Sequence, residues 1–309
     1  MAVPKYTQVQ FGDSRVERKL DQFFSVYCIN SPLLQEFSKT PINISGEDMQ
    51  AWFDRKIRNI DIDRDYQVND CDPSRFNLSL KPQTKSTIYE PFKEVKGQTI
   101  HEHGKSITME FGSIMKQVFE RLRSVLKEHC ALDLTMDEQE RVDWFARVKG
   151  SKSIEIHMIA FDKSQGSFHL DAFCRFLVRM GVCQDVADWW YKVTKRTQSK
   201  TRDKHISFWK WFQLNSGCMS TIFQNTFSAM LILMELLKNK WAILKSDDSM
   251  IFDVDVSTQQ LEDMSAVYNM EAKLLSSKQL GYYCGSFVYL YDGKWCVCKD
   301  YVKRVEHYR

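Results

Sequence analysis

The stretch that decides the expected fold is residues 241–252, which read WAILKSDDSMIF. Two apolar runs, 241–244 and 250–252, flank the polar segment 246–249. Two apolar runs joined by a short polar turn are typical of a β-hairpin. The sequence therefore predicts a hairpin that carries two adjacent carboxylates, Asp247 and Asp248, at its tip.

The aspartate pair has two interpretations. Unpaired buried charge is costly, so the pair cannot pack inside an apolar core. It is either an ordinary polar turn in solvent or a divalent-metal site, since Mg²⁺ binds one or two carboxylates together with phosphate oxygens. A site for two metal ions would need a further ligand from a neighbouring strand. The candidate is the strand that precedes Phe161 and Asp162.

Two further segments add polar side chains to this pattern. Residues 161–165, FDKSQ, follow a predicted strand, and Asp162 there has the alternative role of a helix N-cap. Residues 216–226, SGCMSTIFQNT, form a Ser-Gly turn that leads into a helix. Thr221 and Asn225 then lie one turn apart on the same helix face. Each segment alone is an ordinary structural element, but their joint order favours a functional site.

The composition excludes several classes of protein. The chain has 309 residues, 43 Lys and Arg against 40 Asp and Glu, and 43% hydrophobic residues. These values exclude global disorder and a uniformly basic coat for nucleic acid. Nine cysteines with no CxxC pair argue against a disulfide framework and a zinc module. The N-terminus lacks an apolar signal core, and the longest apolar run, 227–237, is about half a membrane span. We expect a soluble intracellular protein.

Apolar periodicity predicts the remaining elements. All six prolines lie between Pro4 and Pro91, which predicts a loop-rich first third and a regular remainder. The basic stretch 192–205 is predicted to be a solvated loop, with a loop that faces nucleic acid as the alternative. The other predicted elements are a helix over 106–128, a strand over 154–160, a loop over 161–166, a helix that ends at Gly181, a strand-like segment over 207–214, helices over 220–240 and 258–275, and a closing hairpin of 282–291 and 294–299.

In this order the segments resemble the palm motifs of viral RNA-dependent RNA polymerases of the alphavirus-like superfamily, especially tobamovirus-type and other plant-virus or insect-associated replicases. The likeness covers about residues 76–301 and is vague before residue 70. The matching segments are 161–165 with Phe168 and His169 (motif A), 216–226 (motif B), 246–248 (motif C), 269–273, NMEAK (motif D), 281–287, GYYCGSF (motif E), and 80–82 with 98–100 and the helix from 106 (the fingers segment containing motif F).

The resemblance implies a role for each matching residue. Asp247 and Asp248 would hold the catalytic ions, Mg²⁺ or Mn²⁺, and Lys273 would donate a proton to pyrophosphate. The nucleotide-binding residues implied are Asp162 and Asn225 for the ribose hydroxyls, Ser216, Gly217 and Thr221 for the motif B loop around template and nucleotide, and Lys81, with Lys85 or Lys105, for the triphosphate. Positioning and charge neutralisation are what phosphoryl transfer requires.

Two residues depart from the family pattern. Ser246 stands where motif C usually begins with glycine. His157 stands where motif A usually places its metal-binding aspartate, and imidazole is a poor ligand for Mg²⁺ but acceptable to Mn²⁺. Glu155 lies on the same strand face, roughly 6–7 Å away, and could replace His157 only if the strand shifted.

The resemblance also implies the architecture. We expect an α/β (α+β) fold in which an antiparallel palm sheet, built from the motif A and C strands, is backed by helices. The expected divisions are 1–70 as an N-terminal extension or part of the fingers, 71–150 as fingers with the motif F-like segment, 151–301 as the palm, and 302–309 as the start of a thumb that is largely absent. On this interpretation the chain is a fingers–palm piece of a longer or degenerate polymerase.

The expected function is template-directed RNA synthesis from nucleoside triphosphates (NTPs) by a two-metal mechanism. The expected partners are template and product RNA, NTPs, and the helicase and methyltransferase regions of a viral replicase. The expected location is the host cytoplasm, in membrane-associated replication complexes, without a transmembrane segment in this chain. The alternative is a catalytically impaired RNA-binding or scaffold protein, suggested by His157 and the absent thumb. An unrelated Mg²⁺-dependent phosphotransferase is a third possibility, which residues 216–226 argue against.

Overall fold

The computed structural model describes residues 13–29, 32–43, 47, 72–80, 99–134, 136–201, 203–277 and 279–302. The helices are α1 (Asp13–Tyr27), α2 (Pro32–Phe37), α3 (Lys105–Val125), α4 (Glu138–Arg147), α5 (Phe161–Ser164), α6 (Ser167–Arg179), α7 (Gln184–Lys195), α8 (Thr221–Leu237) and α9 (Thr258–Ala266). The strands are β1 (Arg75–Leu80), β2 (Thr99–His103), β3 (Cys130–Leu132), β4 (Ser153–Ile159), β5 (Arg196–Thr201), β6 (Ser207–Trp211), β7 (Ala242–Lys245), β8 (Asp248–Phe252), β9 (Glu271–Ser277), β10 (Leu280–Tyr283), β11 (Ser286–Tyr291) and β12 (Lys294–Lys299).

A five-stranded sheet with the order β3-β7-β8-β4-β9 forms the centre of the fold. Strands β7 and β8 are the hairpin predicted from residues 241–252, and β8 pairs with β4 in antiparallel register. The pair β3–β7 is parallel, so the sheet is mixed rather than wholly antiparallel. The expected pairing of the motif A and motif C strands is confirmed.

Helices cover the back face of this sheet. Helix α8 is almost entirely buried, because apolar residues surround it on nearly every side. It packs against α1, α6 and β7, with Phe23, Phe176 and Phe227 in mutual ring contact. Tyr27 of α1 donates a hydrogen bond to the carbonyl oxygen of Met230, 2.6 Å away. The first described helix therefore shares one core with the helices behind the sheet.

The antiparallel meander β10-β11-β12 lies over one end of the front face. A second apolar cluster joins it to the sheet and to α4, with Trp295 packed against Phe252 at a centroid distance of 4.9 Å. The meander covers only the part of the front face that carries Ile243, Met250 and Phe252. The charged end of the same face is left accessible.

A separate four-stranded sheet has the order β2-β1-β5-β6. Its inner face packs on α3 and α7, where Trp190 contacts Phe111 and His103. The motif B loop joins the free edge of β2 through a bridge between Glu102 and Gly217. This contact fixes the four-stranded sheet beside the start of α8.

Three secondary-structure predictions are wrong. Residues 161–164 of the predicted loop over 161–166 form helix α5. The helix predicted over 258–275 ends at Ala266, and Asn269 turns the chain with a φ of 58° so that β9 joins the sheet beside β4. The loop predicted over 192–205 is the end of α7 followed by β5. In β5 the buried alternate residues are Thr197 and Ser199, so an apolar pattern does not reveal the strand.

The two long helix predictions agree with the structure. The helices predicted over 106–128 and 220–240 correspond to α3 and α8. The described cysteines are free thiols, and no described helix has the length and apolar character needed to cross a membrane. The division into segments 1–70, 71–150, 151–301 and 302–309 stays a prediction.

Candidate active site

The tip of the β7–β8 hairpin is held by backbone bonds on both sides. Ser246 has a φ of 56°, a left-handed conformation in which glycine is favoured. Its N–H donates to the Thr226 hydroxyl at 2.8 Å, and the Asp247 carbonyl accepts from the N–H of Met158 at 3.0 Å. The neighbouring helix and strand therefore hold the turn in the shape that the family's glycine would adopt freely.

A row of four side chains crosses the front face of the sheet. The strand register places Lys245 opposite Asp248, Asp248 opposite His157, and His157 opposite Lys273. Directly paired residues share one face of a sheet. The structure thus brings together four residues, three of which the sequence singled out, from β7, β8, β4 and β9.

His157 lies between the two aspartates. Its Nδ1 is 2.9 Å from Oδ1 of Asp248 and 3.6 Å from Oδ2 of Asp247. The three side chains are 47%, 42% and 40% exposed, respectively. The imidazole therefore occupies the place that the family pattern gives to a metal-binding carboxylate.

Glu155 is not a substitute for that carboxylate. It pairs with Met250, one strand repeat from His157, and its Oε1 accepts a hydrogen bond from the N–H of Tyr282 at 2.6 Å. Burial raises the pKa of Glu155, and the nearby Asp248 acts in the same direction. Glu155 therefore anchors the meander to the sheet, and replacing His157 would break this contact.

Lys245 is drawn away from the aspartates by a buried carboxylate. Its Nζ lies 3.6 Å from Oδ2 of Asp133, whose side chain is fully buried. Arg141 donates from Nη2 to Oδ1 of the same carboxylate at 2.7 Å. The buried Asp133 thus holds both cations beside β7, on the side of the hairpin opposite His157.

Asn225 connects the three predicted motifs. Its Nδ2 donates to Oδ1 of Asp162 at 2.7 Å and to Oγ of Ser246 at 3.2 Å. Its Oδ1 accepts a hydrogen bond from Nε2 of Gln165. Every hydrogen-bonding group of the amide except one lone pair is accounted for by these contacts. The amide therefore fixes the positions of α5, α8 and the hairpin tip relative to one another.

Asp162 is a half-buried carboxylate in α5, inside the helix rather than at its N-cap, which is Ala160. Burial raises the pKa of Asp162, the hydrogen bond from Asn225 lowers it, and the charge of Asp247 raises it further. The alternative role of N-cap is therefore wrong. The site concentrates negative charge from two motifs in one place.

The motif B residues have different environments. The N–H of Gly217 donates to the carbonyl of His101 at 2.9 Å, and a Cβ at this position would lie 2.6 Å from that oxygen. Ser216 makes only long contacts, 3.4 Å, with β2. Thr221 is buried, and its hydroxyl donates to the Asn215 carbonyl at 2.6 Å. Thr221 therefore shapes the loop from inside, while Ser216 and Gly217 form its surface.

Lys210 and Gln165 are site residues that the motifs did not identify. Burial lowers the pKa of Lys210 to about 8, while the nearby Asp162 raises it. Lys210 alternates along β6 with exposed tryptophans, so a period of two is the signal that would have assigned it to the inner face. The predicted triphosphate contacts Lys81 and Lys85, and the side chain of Lys105, lie outside the described residues.

The donor set suits a divalent cation. Asp247 and Asp248 are accessible carboxylates, and among the described residues neither forms an ion pair with a lysine or an arginine. The negative charge of Asp247 also raises the pKa of Asp162. Hard cations prefer such oxygen donors, and an imidazole ligand is better suited to Mn²⁺ than to Mg²⁺. As placed, no three or more His, Cys, Asp or Glu side chains of the described residues form a ready-made metal cage. The aspartates can bind a cation once His157 turns from its hydrogen bond.

Comparison with known proteins identifies relatives along the whole described region. Residues 1–307 match the family model described as RNA dependent RNA polymerase. The chain is 30% identical over 231 residues to the replicase large subunit of Potato mop-top virus, which is 72% of this chain and 13% of that protein. It is 27% identical over 243 residues to the RNA-directed RNA polymerase of Barley stripe mosaic virus, 76% of this chain and 31% of that protein.

A third relative covers more of the chain. The replicase large subunit of Pepper mild mottle virus (strain Spain) is 24% identical over 306 residues, 93% of this chain and 18% of that protein. The chain thus spans between 13% and 31% of the length of these three relatives.

Proposed function

The chain belongs to the family of RNA-dependent RNA polymerases, and we propose that it is the fingers–palm core of a viral replicase that extends RNA on an RNA template. The observation that carries the proposal is the row Asp248–His157–Lys273 beside Asp247, joined by Asn225 to Asp162. Template-directed synthesis needs accessible carboxylates next to groups that are held in place to bind a nucleotide. The accessible Asp247 and Asp248, beside the hydrogen-bonded pair Asn225 and Asp162, fit both needs. A noncatalytic scaffold would have no need of either.

The reaction joins a primer 3′-hydroxyl to the α-phosphorus of an NTP. The 3′-hydroxyl loses its proton to water as its oxygen forms a bond to the α-phosphorus. The bond between that phosphorus and the oxygen bridging to the β-phosphorus breaks, and pyrophosphate leaves. Bound Mg²⁺ or Mn²⁺ supplies charge neutralisation in this chemistry. Asp247 and Asp248 would hold the ion, with His157 as the third ligand.

The other residues position the substrates. Asp162 and Asn225 present a carboxylate and an amide that can hydrogen-bond the ribose hydroxyls, and their mutual bond sets their spacing. Ser216 and Gly217 form the loop that would meet template and nucleotide. Lys210, whose ammonium group is influenced by the nearby Asp162 and Lys163, would add positive charge for binding triphosphate oxygens.

Lys273 would donate the proton to pyrophosphate. It lies on β9, exposed, on the same face as His157 and two strands from Asp248, which is about 10 Å. No described residue makes a hydrogen bond or ion pair with its ammonium group. A lysine on an edge strand beside the carboxylates is free to follow the leaving group.

The test is primer extension on an RNA template with Mg²⁺ or Mn²⁺, using the 309-residue chain and, in parallel, a replicase that contains it. We expect RNA product that Asp247→Ala abolishes and that Asp292→Ala, in an exposed turn, leaves unchanged. Absence of any product that depends on Asp247 would contradict the proposal. In that event, product from His157→Asp alone would show that the natural sequence is catalytically impaired.

His157 predicts the metal preference. Because imidazole replaces a carboxylate, we propose that the chain binds Mn²⁺ in preference to Mg²⁺. Isothermal titration with each ion alone should show higher affinity for Mn²⁺ than for Mg²⁺. The variant His157→Asp should reduce the ratio of the two affinities, whereas the exposed control His205→Asp should leave that ratio unchanged. The same ratio of Mn²⁺ affinity to Mg²⁺ affinity in the wild-type chain and in His157→Asp would overturn this assignment. The readout is binding, so it does not depend on RNA synthesis.

We also propose, from the replicase names of its relatives, that the chain works with helicase and methyltransferase regions in membrane-associated replication complexes of the host cytoplasm. Cofractionation of the tagged chain with and without the other replicase regions would test this.

A further inference from the structure

The outer face of the four-stranded sheet carries two exposed tryptophans. Trp209 and Trp211 of β6 are 48% and 50% exposed. Alternate residues of a strand point to opposite faces, so Phe208 and Lys210 lie on the inner side. The register places Trp209 beside Gln198 and Trp211 beside Arg196. Large aromatic side chains thus stand together on an open sheet surface instead of packing in the core.

Arg196 is arranged against both rings. Its guanidinium carbon is 4.2 Å from the ring centroid of Trp209 and 5.2 Å from that of Trp211. A cation over the face of tryptophan is attracted by the ring's charge distribution. The contact orders a planar cation next to two planar rings before any partner is present.

The surrounding chain is strongly basic. Residues 192–211 contain seven Lys and Arg and one acidic residue, Asp203. On the tryptophan face itself, Lys200 and Arg196 lie on β5, and Arg75 of β1 is already paired with Asp72 at 3.1 Å. Glu102 of β2 is the acidic residue that shares this face. On this face, positive charge therefore exceeds negative charge beside β5 and β6, the strands that carry Arg196, Lys200 and the two tryptophans.

We infer that this face binds single-stranded RNA, with bases stacked on Trp209 and Trp211 and phosphates paired with Arg196 and Lys200 of the same face. Aromatic stacking combined with a basic surface is how proteins hold single strands without reading sequence. Two residues along a strand separate the rings by roughly 7 Å. A protein partner for an exposed tryptophan pair would not require the cations Arg196 and Lys200 beside the rings. The identity of the polymer as RNA rests on the proposed function.

This surface is distinct from the catalytic pocket. Lys210 lies between the tryptophans in sequence but on the inner side of β6, near Asp162. Strand β6 is an edge strand of the described sheet, so RNA bound to the outer face could pass over this edge toward the pocket. The inference gives Arg196 and Lys200 of the basic stretch 192–205 a role in holding RNA outside the site of nucleotide addition.

The test measures binding of a fluorescent single-stranded RNA of about 12 nucleotides to the 309-residue chain by anisotropy, in EDTA and at fixed salt. The double variant Trp209→Leu/Trp211→Leu keeps apolar bulk but removes the stacking rings. We expect it to weaken single-strand affinity about ten-fold or more, and Trp209→Phe/Trp211→Phe to restore most of it. Affinity for blunt double-stranded RNA, whose bases are already stacked, should not change. Tyr291→Leu, which removes a 71% exposed ring from β11, serves as the matched control.

The outcomes separate the inference from the proposed function. Unchanged single-strand affinity in the leucine variant would overturn the inference and assign the face to a protein partner. Equal loss in the leucine and phenylalanine variants would also overturn it, because stacking would not be the cause. If the chain makes no RNA in primer extension but the leucine variant binds RNA more weakly, the proposed function fails and the surface stands. If synthesis proceeds while the leucine variant binds normally, the surface fails and the function stands.

Discussion

The hairpin tip and the network beside it differ in how their polar groups are partnered. At the tip, Asp247, Asp248 and His157 are about half exposed and contact mainly one another. In the network, Asn225 and Gln165 are buried and bonded to neighbouring motifs. Buried polar groups must be hydrogen-bonded in the folded chain, whereas accessible groups can exchange water for a ligand. The residues at the tip are therefore those that would take part in the reaction, and the residues of the network fix the geometry of the site.

The largest expected effect comes from the tip. Asp248→Ala should lower the rate of RNA synthesis about 10³-fold, because a charge that stabilises the transition state is lost. The free energy of unfolding should change by less than about 0.5 kcal/mol, because the side chain is accessible. Primer extension and urea denaturation would measure the two quantities, with Glu262→Ala, on the exposed side of α9, as the control. A large loss of stability would show that the tip supports the fold, and the tip would then not differ from the buried network in this respect.

A substitution in the buried network should instead lower the stability of the folded chain. Asn225→Ala leaves buried partners on Asp162 and Gln165 unsatisfied, and should cost about 1–3 kcal/mol in the free energy of unfolding. It should also reduce the preference for ribonucleotides over deoxyribonucleotides in primer extension. Gln259→Ala, on the exposed surface of α9, is the control and should cost far less. Full stability of Asn225→Ala would mean that the network does not set the geometry.

Ser246 belongs to both regions and gives a smaller effect. Ser246→Ala keeps the left-handed backbone but loses the acceptor for Asn225, whereas Ser246→Gly loses the same acceptor and relieves the strain. The glycine variant should be about 1 kcal/mol more stable than the alanine variant. Chemical denaturation of the pair measures this difference. Equal stabilities would show that the φ of 56° carries no strain.

The smallest effect is a pH dependence at Asp162. Because its pKa is raised in the folded protein, chiefly by burial, the native state binds its proton more tightly than the unfolded chain does. Its contribution to stability is therefore present at low pH and is lost as the pH rises through the raised pKa. Asp162→Asn should be more stable than the wild type at pH 7, and this gain should vanish below the ordinary carboxyl pKa of 3.8.

An exposed aspartate provides the matched control for that measurement. Hydrogen bonds from Thr201 and from the N–H of His205 lower the pKa of Asp203. Its stabilising contribution is therefore present above the ordinary pKa and lost as the pH falls, so Asp203→Asn should change stability in the opposite direction. Denaturation curves from pH 3 to 7 would compare both variants. The same pH response in both would contradict the assignment of Asp162 to a buried environment.

Local sequence patterns predicted those elements that depend on residues close together in the sequence. The hairpin of β7 and β8 follows from two apolar runs around a polar turn, and α8 from continuous apolar character after a Ser-Gly turn. The strand β9 could not be predicted in this way. Residues 271–277 have no strong alternation, and they form a strand because the edge of β4 is available to pair with them.

The candidate site was predicted in part for the same reason. The motifs placed Asp247, Asp248 and Asn225, and the strand register then placed His157 and Lys273 beside them. Gln165 carries no local signal of its role. Alternation along β6 assigns Lys210 to the inner face but does not identify Asp162 as its neighbour, since both contacts join distant segments. A residue whose function depends on long-range pairing is visible only after the chain has folded.

The sequence by itself determined the hairpin, its charged tip and the order of the motifs, because alternation and turn preference act over a few residues. Only the tertiary structure decided which carboxylates face the tip. Glu155 and His157 share one strand face, and the register puts His157 opposite Asp248 while Glu155 is held by the meander at Tyr282. A shift of one residue in β4 would turn its side chains to the other face, so cross-strand packing, not composition, selects the site.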